Sequence, residues 1–353
     1  MNNFDEYLRQ GEPNKAEKAN VWKTAIGLQQ VDALQPSEYL IATAKENIEG
    51  YITIEEVKQR IDSYYKQPPS KNEENRTEEA DKVSVRVTEI LSEKTFTFSP
   101  VEYLTIHRRL FQGIYSHAGI IRDYNITKKE WVLNGETVLY ASAESLKATL
   151  EYDFQQEKAF VFKGLSQEEI IIHIAHFISF LWQIHIFGEG NTRTTAIFLI
   201  KYFRKLGFKE VNNDLFTEHS WFFRNALVRA NYEDLLKEIY KTDKYLIRFV
   251  LNLLCQRNYL LKNRELHIKY YSSDIDTVKV ENDTLKIQND TLKVSGDTVF
   301  DLIKQNNRIK AAQISEDLNV SLSTVRRKIK VLKEKGLLER IGSDKTGYWR
   351  IIE

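Results

Sequence analysis

The sequence predicts a mainly α-helical protein: a helical bundle with one β-hairpin, followed by a winged-helix domain. Residues 76–261 show almost continuous helical periodicity. Within that stretch, Asn134-Gly135 lies between two β-prone arms, which is a strong hairpin signal. After residue 296 the pattern changes to helix, turn, helix and two short strands. The 353 residues, 42% of them hydrophobic, leave room for both domains and for an additional lobe.

Composition excludes several classes of protein. The formal charge of +1 gives no reason to expect that the chain as a whole binds nucleic acid or a membrane. Cys255 is the only cysteine, so neither a disulfide framework nor a Cys-rich zinc site is available. The first residues are polar and unlike a secretory signal, and no apolar run is long enough to span a membrane. We therefore expect a cytoplasmic protein.

The N-terminal part reads as a short polar start followed by a helical lobe. Residues 1–19 are expected to be loosely ordered, and residues 20–75 to form the lobe. Within it, Ser37 after Pro36 is typical of a helix start, and Thr53 offers an N-cap for a further helix. A polar, Pro-containing break then separates the lobe from a central domain over residues 76–262.

Residues 263–295 carry a seven-residue repeat. Its copies begin at Asp276, Asp283 and Asp290, and a partial copy begins at Asp297. A period of seven suggests a coiled coil, but Thr, Val and Asn predominate and good helix formers are few. The composition favours a linker; a small structured or oligomerising element is the alternative.

The segment from 296 to 353 is predicted to be a winged helix-turn-helix domain. It holds 12 Lys and Arg against 8 Asp and Glu, a local basic surplus. Its third helix begins with small polar residues, which fit a major groove, and continues with basic residues, which meet phosphates. The candidate DNA-binding residues are Ser323, Thr324, Arg326, Arg327 and Lys330. A solvated helix face or a protein-binding winged helix is the alternative reading.

The segment from His185 to Arg193 concentrates polar chemistry between two apolar helices. A neutral imidazole accepts a hydroxyl proton near neutral pH, so His185 is a candidate general base. Glu189 is a hard oxygen ligand suited to Mg²⁺. The Gly190-Asn191-Thr192 turn begins a helix whose free N–H groups favour phosphate, and Arg193 can neutralise phosphate charge. Together they point to a nucleotide held beside a proton acceptor.

This segment resembles the signature of the Fic family, His-x-Phe-x-(Asp/Glu)-Gly-Asn-Gly-Arg-x-x-Arg. The likeness extends to Leu104–Phe111, to Ala118–Arg122 and to the hairpin Glu130–Tyr140, and covers about residues 76–254. It implies a helical bundle with a flap over the active loop. Family members usually transfer AMP from ATP to a Ser, Thr or Tyr hydroxyl of a target protein, and some transfer other phosphate-containing groups.

The resemblance also implies roles for individual residues. His185 is the base, Glu189 the Mg²⁺ ligand, Asn191 with the adjacent backbone the anion hole, and Arg193 a phosphate contact. The flap aligns the target's hydroxyl by strand addition. The nucleotide-binding set that it implies is Gly188, Glu189, Gly190, Asn191, Thr192, Arg193 and Asn225.

Two positions depart from the signature. Thr192 stands where the family has its second glycine, and Ala196 where it has its second arginine. Losing a charged, phosphate-directed hydrogen bond costs about 1.5–3 kcal/mol. ATP is then expected to bind weakly or in another pose, or not to be the true donor. The alternative function is a DNA-binding regulator whose Fic domain senses a nucleotide without transferring it.

An inhibitory element is also expected in the N-terminal lobe. Many Fic proteins carry an antitoxin-like helix with (Ser/Thr)-x-x-x-Glu-(Gly/Asn), whose glutamate contacts the second arginine. Lys45–Gly50 resembles it without the hydroxyl residue, with Glu49 as the inhibitory residue and Glu46 as the second choice. The alternative is a lobe that only completes the core. A homodimer is compatible with both domain types.

Overall fold

The computed structural model describes residues 4–9, 12–66, 75–210, 212 and 214–269, and scattered residues beyond them. The latter are 302–303, 306–307, 309–317, 325, 329, 333, 338–341 and 348–351. The chain divides into two compact units, Met1–Asp276 and Thr277–Glu353. Each unit is described by itself.

Helices are the main elements in the described part of the first unit. Its α-helices are α1 (Asp5–Arg9), α2 (Pro13–Gly27), α3 (Glu38–Glu49), α4 (Ile54–Tyr64), α5 (Asn75–Ser92), α6 (Pro100–Phe111), α7 (Leu146–Ala159), α8 (Gln167–Ile184), α9 (Asn191–Lys205), α10 (Leu215–Ala230), α11 (Lys244–Cys255) and α12 (Asn263–Leu266). Short 3-10 turns cover Leu28–Asp32, Trp131–Leu133, Ala143–Ser145 and Leu235–Lys237. Among the described residues, no helix is both long and apolar enough to cross a membrane. The predicted mainly helical class is confirmed.

Side-chain caps fix where several helices begin. The Ser37 hydroxyl accepts a hydrogen bond from the Leu40 N–H at the start of α3. Thr53 and Glu56 form a capping box at the start of α4, and Ser166 and Glu169 form another at α8. The starts predicted at Ser37 and Thr53 are therefore confirmed, because the cap is a local property of the sequence.

The expectation of a loosely ordered start is wrong. Helices α1 and α2 begin at Asp5 and Pro13, within the first 19 residues. Phe4 and Tyr7 are buried in one cluster with Trp22. Packing of these large side chains stabilises a helix that polar composition alone does not predict, since most helical stability in proteins comes from tertiary contacts.

Helix α9 lies at the centre of the main core. Every residue from Asn191 to Phe203 is buried, so this helix is enclosed on all sides. It packs on α6, α8 and α5, and on the 3-10 turn Leu28–Asp32 of the N-terminal lobe. The lobe therefore contacts the same helix that begins at the end of the polar motif.

Residues 130–140, here called the flap segment, do not form the predicted β-hairpin. The turn itself is as expected: Asn134 and Gly135 have φ of 56° and 89°. However, Trp131–Leu133 is a 3-10 turn, and no strand is present from 130 to 140. Val132 and Leu133 are both 0% exposed. Adjacent residues of a strand point to opposite faces, so burying both in one core requires the backbone to curl instead.

The end of the first unit is attached to the flap segment. The Ile268 N–H donates to the Val132 carbonyl at 2.9 Å. The His267 ring lies edge-on to Trp131, with centroids 4.7 Å apart. The Tyr245 hydroxyl donates to the Glu265 carbonyl at 2.7 Å, which fastens α12 to α11. The stretch from α12 to Lys269 is thus part of the first unit's framework.

The second unit shows the elements of a winged helix in its described residues. A helix, α13, spans Ala311–Asp317, and strands β1 (Leu338–Ile341) and β2 (Tyr348–Ile351) pair antiparallel. The small core consists of Ile303, Ile309, Ile314, Val325, Ile329 and Leu338. The predicted two-stranded wing is confirmed. The repeat from Asp276 and the predicted DNA-binding residues, Ser323, Thr324, Arg326, Arg327 and Lys330, lie outside the described residues.

Candidate functional site

The polar motif forms a tight loop between the end of α8 and the start of α9. His185 caps α8 in the left-handed conformation, with φ of 50°, and Gly190 opens α9 with φ of 75°. A Cβ on Gly190 would lie 2.4 Å from the Phe111 ring, so only glycine fits there. Both turns reverse the chain within five residues, which brings His185 beside the N-terminus of α9.

Two side-chain amide hydrogen bonds close this loop. The Asn191 Nδ2 donates to the Phe187 carbonyl at 2.8 Å, and the Phe187 N–H donates to Asn191 Oδ1 at 3.1 Å. Asn191 therefore holds the shape of the loop with its side chain. No side chain caps α9, so the N–H groups of its first turn have no partner within the helix. They point to where an anion binds favourably.

His107 supports the loop from α6, and the sequence did not place it in the site. Its Nδ1 accepts the Gly119 N–H at 2.8 Å, so Nε2 carries the proton and donates to the Glu189 carbonyl at 3.0 Å. Its ring stacks on Phe187 at 3.6 Å between centroids. Burial lowers the pKa of His107 to about 3, so it stays neutral. The only sequence signal was its place in the family-like helix.

The side chain of Thr192 makes a contact within the core. Its hydroxyl accepts a hydrogen bond from the Trp182 indole N–H at 3.0 Å. Both residues are buried. The departure from glycine at Thr192 thus adds a contact between α9 and α8, on the core side of the loop.

Arg193 is enclosed by acceptors. The residue is 1% exposed, and its Nε lies 2.8 Å from Asp32 Oδ2. Its Nη2 donates to Glu79 Oε1 at 2.6 Å, and its Nη1 donates to Gln29 Oε1 at 3.0 Å. The Phe111 ring lies under the guanidinium at 4.7 Å. The guanidinium that was predicted to contact a phosphate is therefore already paired within the protein, with the carboxylates of Asp32 and Glu79.

Ala196, at the position of the family's second arginine, is 0% exposed within the core. Replacing Ala196 with arginine is therefore expected to destabilise the fold by at least about 1–3 kcal/mol, the cost of overpacking, before the cost of burying its charge. Thermal unfolding of Ala196→Arg measures this. Ala148→Arg, on the exposed side of α7, is the matched control and should unfold near the wild-type temperature. A wild-type melting temperature for Ala196→Arg would show that the position is open.

The imidazole of His185 is buried and without a hydrogen-bond partner. The residue is 4% exposed, and neither ring nitrogen is hydrogen-bonded. Tyr140 of the flap segment covers it, with ring centroids 4.3 Å apart, and Trp182 lies edge-on at 5.2 Å. Burial, followed by the charge of Lys128, holds the pKa of His185 well below its usual range. The ring is neutral and has a free lone pair for a proton.

Burial of His107 and His185 predicts that stability falls on acidification. Both pKa values lie below the unfolded value of about 6.5, so below that pH the unfolded chain binds protons that the folded chain excludes. The free energy of unfolding is expected to fall below pH 6.5, by up to about 1.4 kcal/mol per pH unit for each histidine. Urea unfolding at pH 7 and pH 5.5 measures this. His107→Gln should show a shallower dependence, and an unchanged slope would contradict the assignment.

Glu189 is the single carboxylate of the loop available to a metal ion. Its side chain is 59% exposed, and its Oε2 lies 3.3 Å from the Lys128 ammonium. Among the described residues, no group of three or more metal-ligating side chains is present. Magnesium is often held by one or two carboxylates together with substrate phosphates. Glu189 fits such a site as the protein's contribution to a metal–nucleotide complex.

The structure does not bring the remaining predicted residues to the loop. Asn225 is buried, and its Nδ2 donates to Asn263 Oδ1 at 2.8 Å. Glu49 lies within the N-terminal lobe, where its carboxylate pairs with Lys15 at 2.7 Å. The hydrogen bond from Lys15 lowers the pKa of Glu49, which keeps it ionised there.

The lobe contacts the motif through a different element. The 3-10 turn Leu28–Asp32 supplies Gln29 and Asp32 to Arg193, as described above. A Cβ on Gly27 would lie 2.4 Å from the Thr217 nitrogen, so glycine allows this turn to pack closely on α10. Glu49 was expected to face the motif, but it is Asp32 of the lobe that contacts Arg193. The signal in the sequence was a set of polar residues, Gln29, Gln30 and Asp32, between apolar neighbours.

Residues 97–203 match the Fic/DOC family, and residues 297–348 match an HTH domain. The comparison with curated proteins returned no match.

Solved structures that match the chain include Fic proteins of two bacterial genera. The N-terminal Fic domain of Bep8 from Bartonella sp. 1-1C is 19% identical, with 54% of this chain and 92% of that chain covered and a TM-score of 0.41. BepC from Bartonella tribocorum, with bound AMPPNP, is 20% identical, covering 50% and 84%, with a TM-score of 0.39. A Fic family protein from Desulfovibrio desulfuricans G20 is 12% identical, covering 99% and 94%, with a TM-score of 0.40.

The two family matches agree with the geometry. The first contains the loop from His185 to Arg193, which closes on itself through Asn191 and begins α9. The second contains α13 and β1, elements of a winged helix. Residues 97–203 are a Fic/DOC-family domain, and the chain carries an HTH domain at residues 297–348.

Proposed function

We propose that the Fic domain transfers AMP from ATP to a Ser, Thr or Tyr hydroxyl of a target protein. The observation that carries this proposal is the imidazole of His185, which is buried, neutral and without a hydrogen-bond partner. A free, neutral imidazole in a Fic/DOC domain is suited to general-base catalysis. The uncapped N-terminus of α9 beside it is suited to phosphate.

The proposed step is an in-line displacement. His185 takes the proton of the target hydroxyl, whose oxygen attacks the α-phosphorus of ATP. The bond from that phosphorus to pyrophosphate breaks, and pyrophosphate leaves with the bond's electrons. The N–H groups of the first turn of α9 would stabilise the phosphate oxygens. Glu189 would hold Mg²⁺, which supplies positive charge to the phosphates.

Substrate access requires the flap segment to move. Tyr140 covers the His185 ring, and its hydroxyl donates to Glu130 at 3.4 Å. Glu130 is itself buried and pairs with Arg224 at 2.9 Å. We infer that the structure represents a closed state, in which His185 is in place but covered by Tyr140.

We further propose that the N-terminal lobe restrains the site through Arg193. Asp32 and Gln29 belong to the lobe and bind the guanidinium that the resemblance assigns to a phosphate. A phosphate approaching Arg193 would compete with the Asp32 carboxylate. The lobe thus acts in the antitoxin-like manner expected from the sequence, with Asp32 in the place of Glu49.

The test of the proposed reaction follows the fate of each phosphate. The purified full-length protein is incubated with a cell extract, Mg²⁺ and ATP labelled at either the α- or the γ-phosphate. Because kinases in the extract also transfer the γ-phosphate, protein-bound label is counted above that of the same extract without the protein. AMP transfer then predicts additional label from α-labelled ATP only. Additional label from γ-labelled ATP would instead show that a different phosphate-containing group is transferred. Absence of additional label in both reactions would contradict transfer from ATP.

A second candidate function is nucleotide sensing by a DNA-binding regulator. The HTH match, Ala196 and the enclosure of Arg193 favour it. In this case DNA affinity changes when ATP is added, and no covalent product forms. Electrophoretic mobility shifts of a random-sequence duplex at several salt concentrations, with and without ATP, distinguish the two functions, because backbone binding weakens with salt. An unaltered shift on adding ATP would argue against sensing.

A further inference from the structure

Three cations are close enough to His185 to lower its pKa, and two of them are already engaged in other contacts. The charges of Lys128, Arg224 and Arg122 all act on His185. Arg122 donates to the backbone carbonyls of His185 at 2.8 Å and of Ala141 at 2.5 Å, and it also donates to that of Tyr124. It holds the turn of the loop and is buried.

Arg224 is committed to the flap segment. Its Nη1 lies 2.9 Å from Glu130 Oε2, and its Nη2 donates to Glu130 Oε1 at 3.1 Å. The Glu130 side chain is fully buried, so releasing Arg224 would leave a buried carboxylate unpaired. This arginine is therefore a poor candidate to leave its partner for a ligand.

In the state that the structure describes, neither arginine position of the family signature offers a free charge. Arg193 is enclosed by Asp32 and Glu79, and Ala196 has no charge to offer. A nucleoside triphosphate carries several negative charges, and its binding in a partly dry site needs a cation. A side chain that binds the phosphates must therefore be another cation near the loop.

Lys128 remains. Its ammonium pairs, among the described residues, with Glu189 alone, at 3.3 Å. Its side chain is 27% exposed, so it faces the solvent side of the loop. Its backbone N–H donates to the Thr137 hydroxyl at 3.1 Å, which ties it to the flap segment. An exposed ion pair of this kind is weak and readily exchanged for a stronger partner.

We propose that Lys128 binds the phosphates of the bound nucleotide, in place of the second signature arginine. This rests on the proposed function, since it requires a nucleoside triphosphate at the loop. Binding would exchange the Glu189 carboxylate for phosphate oxygens and free Glu189 for the metal ion. A lysine suits this role because its ammonium is a compact charge that needs no bidentate geometry.

The test compares nucleotide affinity in two matched variants. Lys128→Met and Lys129→Met remove the same charge from adjacent positions, and Lys129 is exposed. Isothermal titration calorimetry measures the binding of ATP and of adenosine, with and without Mg²⁺. Lys128→Met is expected to weaken ATP binding about tenfold and to leave adenosine binding unchanged. Lys129→Met should match wild type, and Lys128→Arg should retain most of the ATP affinity.

Each other outcome overturns the inference in a recognisable way. If Lys128→Met binds ATP as tightly as wild type, the phosphates contact other groups, and AMP transfer still stands. If both methionine variants weaken ATP binding equally, the effect is general charge and not a contact. If the wild-type protein binds no ATP, this inference and the proposed donor fail together.

Discussion

Replacing His185 with alanine is expected to lower the rate of AMP transfer by about a hundredfold to ten-thousandfold, the usual contribution of a general base. The imidazole is held neutral by burial, and neither nitrogen is hydrogen-bonded within the protein. No other group in the loop combines a free lone pair with this position. Intact-mass analysis after incubation with ATP, Mg²⁺ and the modified target measures the loss.

The controls for this variant separate chemistry from folding and binding. Since the ring makes no hydrogen bond, its removal leaves no buried polar partner unsatisfied, and ATP affinity should stay near wild type. His176→Ala is the matched control, because that ring is partly exposed and pairs with Asp243 on α8's outer side. It should transfer AMP at the wild-type rate. Persistent transfer by His185→Ala would remove the general-base role.

Asp32→Asn is expected to strengthen ATP binding about tenfold and to raise transfer accordingly, the size of one charge-assisted hydrogen bond. The substitution removes one of the two carboxylates on Arg193 and keeps the size of the side chain. Glu79 still pairs with the guanidinium, but one negative charge that repels an approaching phosphate is gone. Calorimetry with ATP and the α-label assay together measure both effects.

Glu49→Gln is the matched control for Asp32→Asn. It makes the same charge change in the same lobe, but at a carboxylate that pairs with Lys15. We expect no change in ATP affinity or transfer. An activating Glu49→Gln beside a silent Asp32→Asn would reverse the assignment and restore the inhibitory role that the sequence favoured for Glu49.

Features of the fold that depend on short stretches of sequence were predictable. The caps at Ser37 and Thr53 and the pairing of β1 with β2 follow from neighbouring residues. The flap segment shows the limit of such reasoning. Its Asn134-Gly135 turn was recognisable, but the burial of both Val132 and Leu133 depends on the core that surrounds them. That core is assembled from distant helices, which a local pattern does not contain.

The candidate site likewise has a part that the sequence predicts and a part that it does not. The loop from His185 to Arg193 is contiguous, so its motif could be read directly. The partners of Arg193 could not, because Glu79 and Gln29 are 114 and 164 positions away in the chain. Sequence-based reasoning therefore assigned Arg193 to a phosphate. The structure shows that its charge is already balanced within the protein.

The attachment of Ile268 to Val132 sets the boundary of any fragment intended to represent the catalytic domain alone. The family match ends at residue 203, yet the backbone donor for the flap segment lies 65 positions further on, by subtraction of 203 from 268. A truncation before His267 removes that donor and uncovers the Trp131 face that His267 shields. Activity measured on such a fragment would be that of a protein whose flap segment covers His185 differently. A higher or lower activity than that of the full-length chain could then come from the displaced flap segment and not from the loss of regulation.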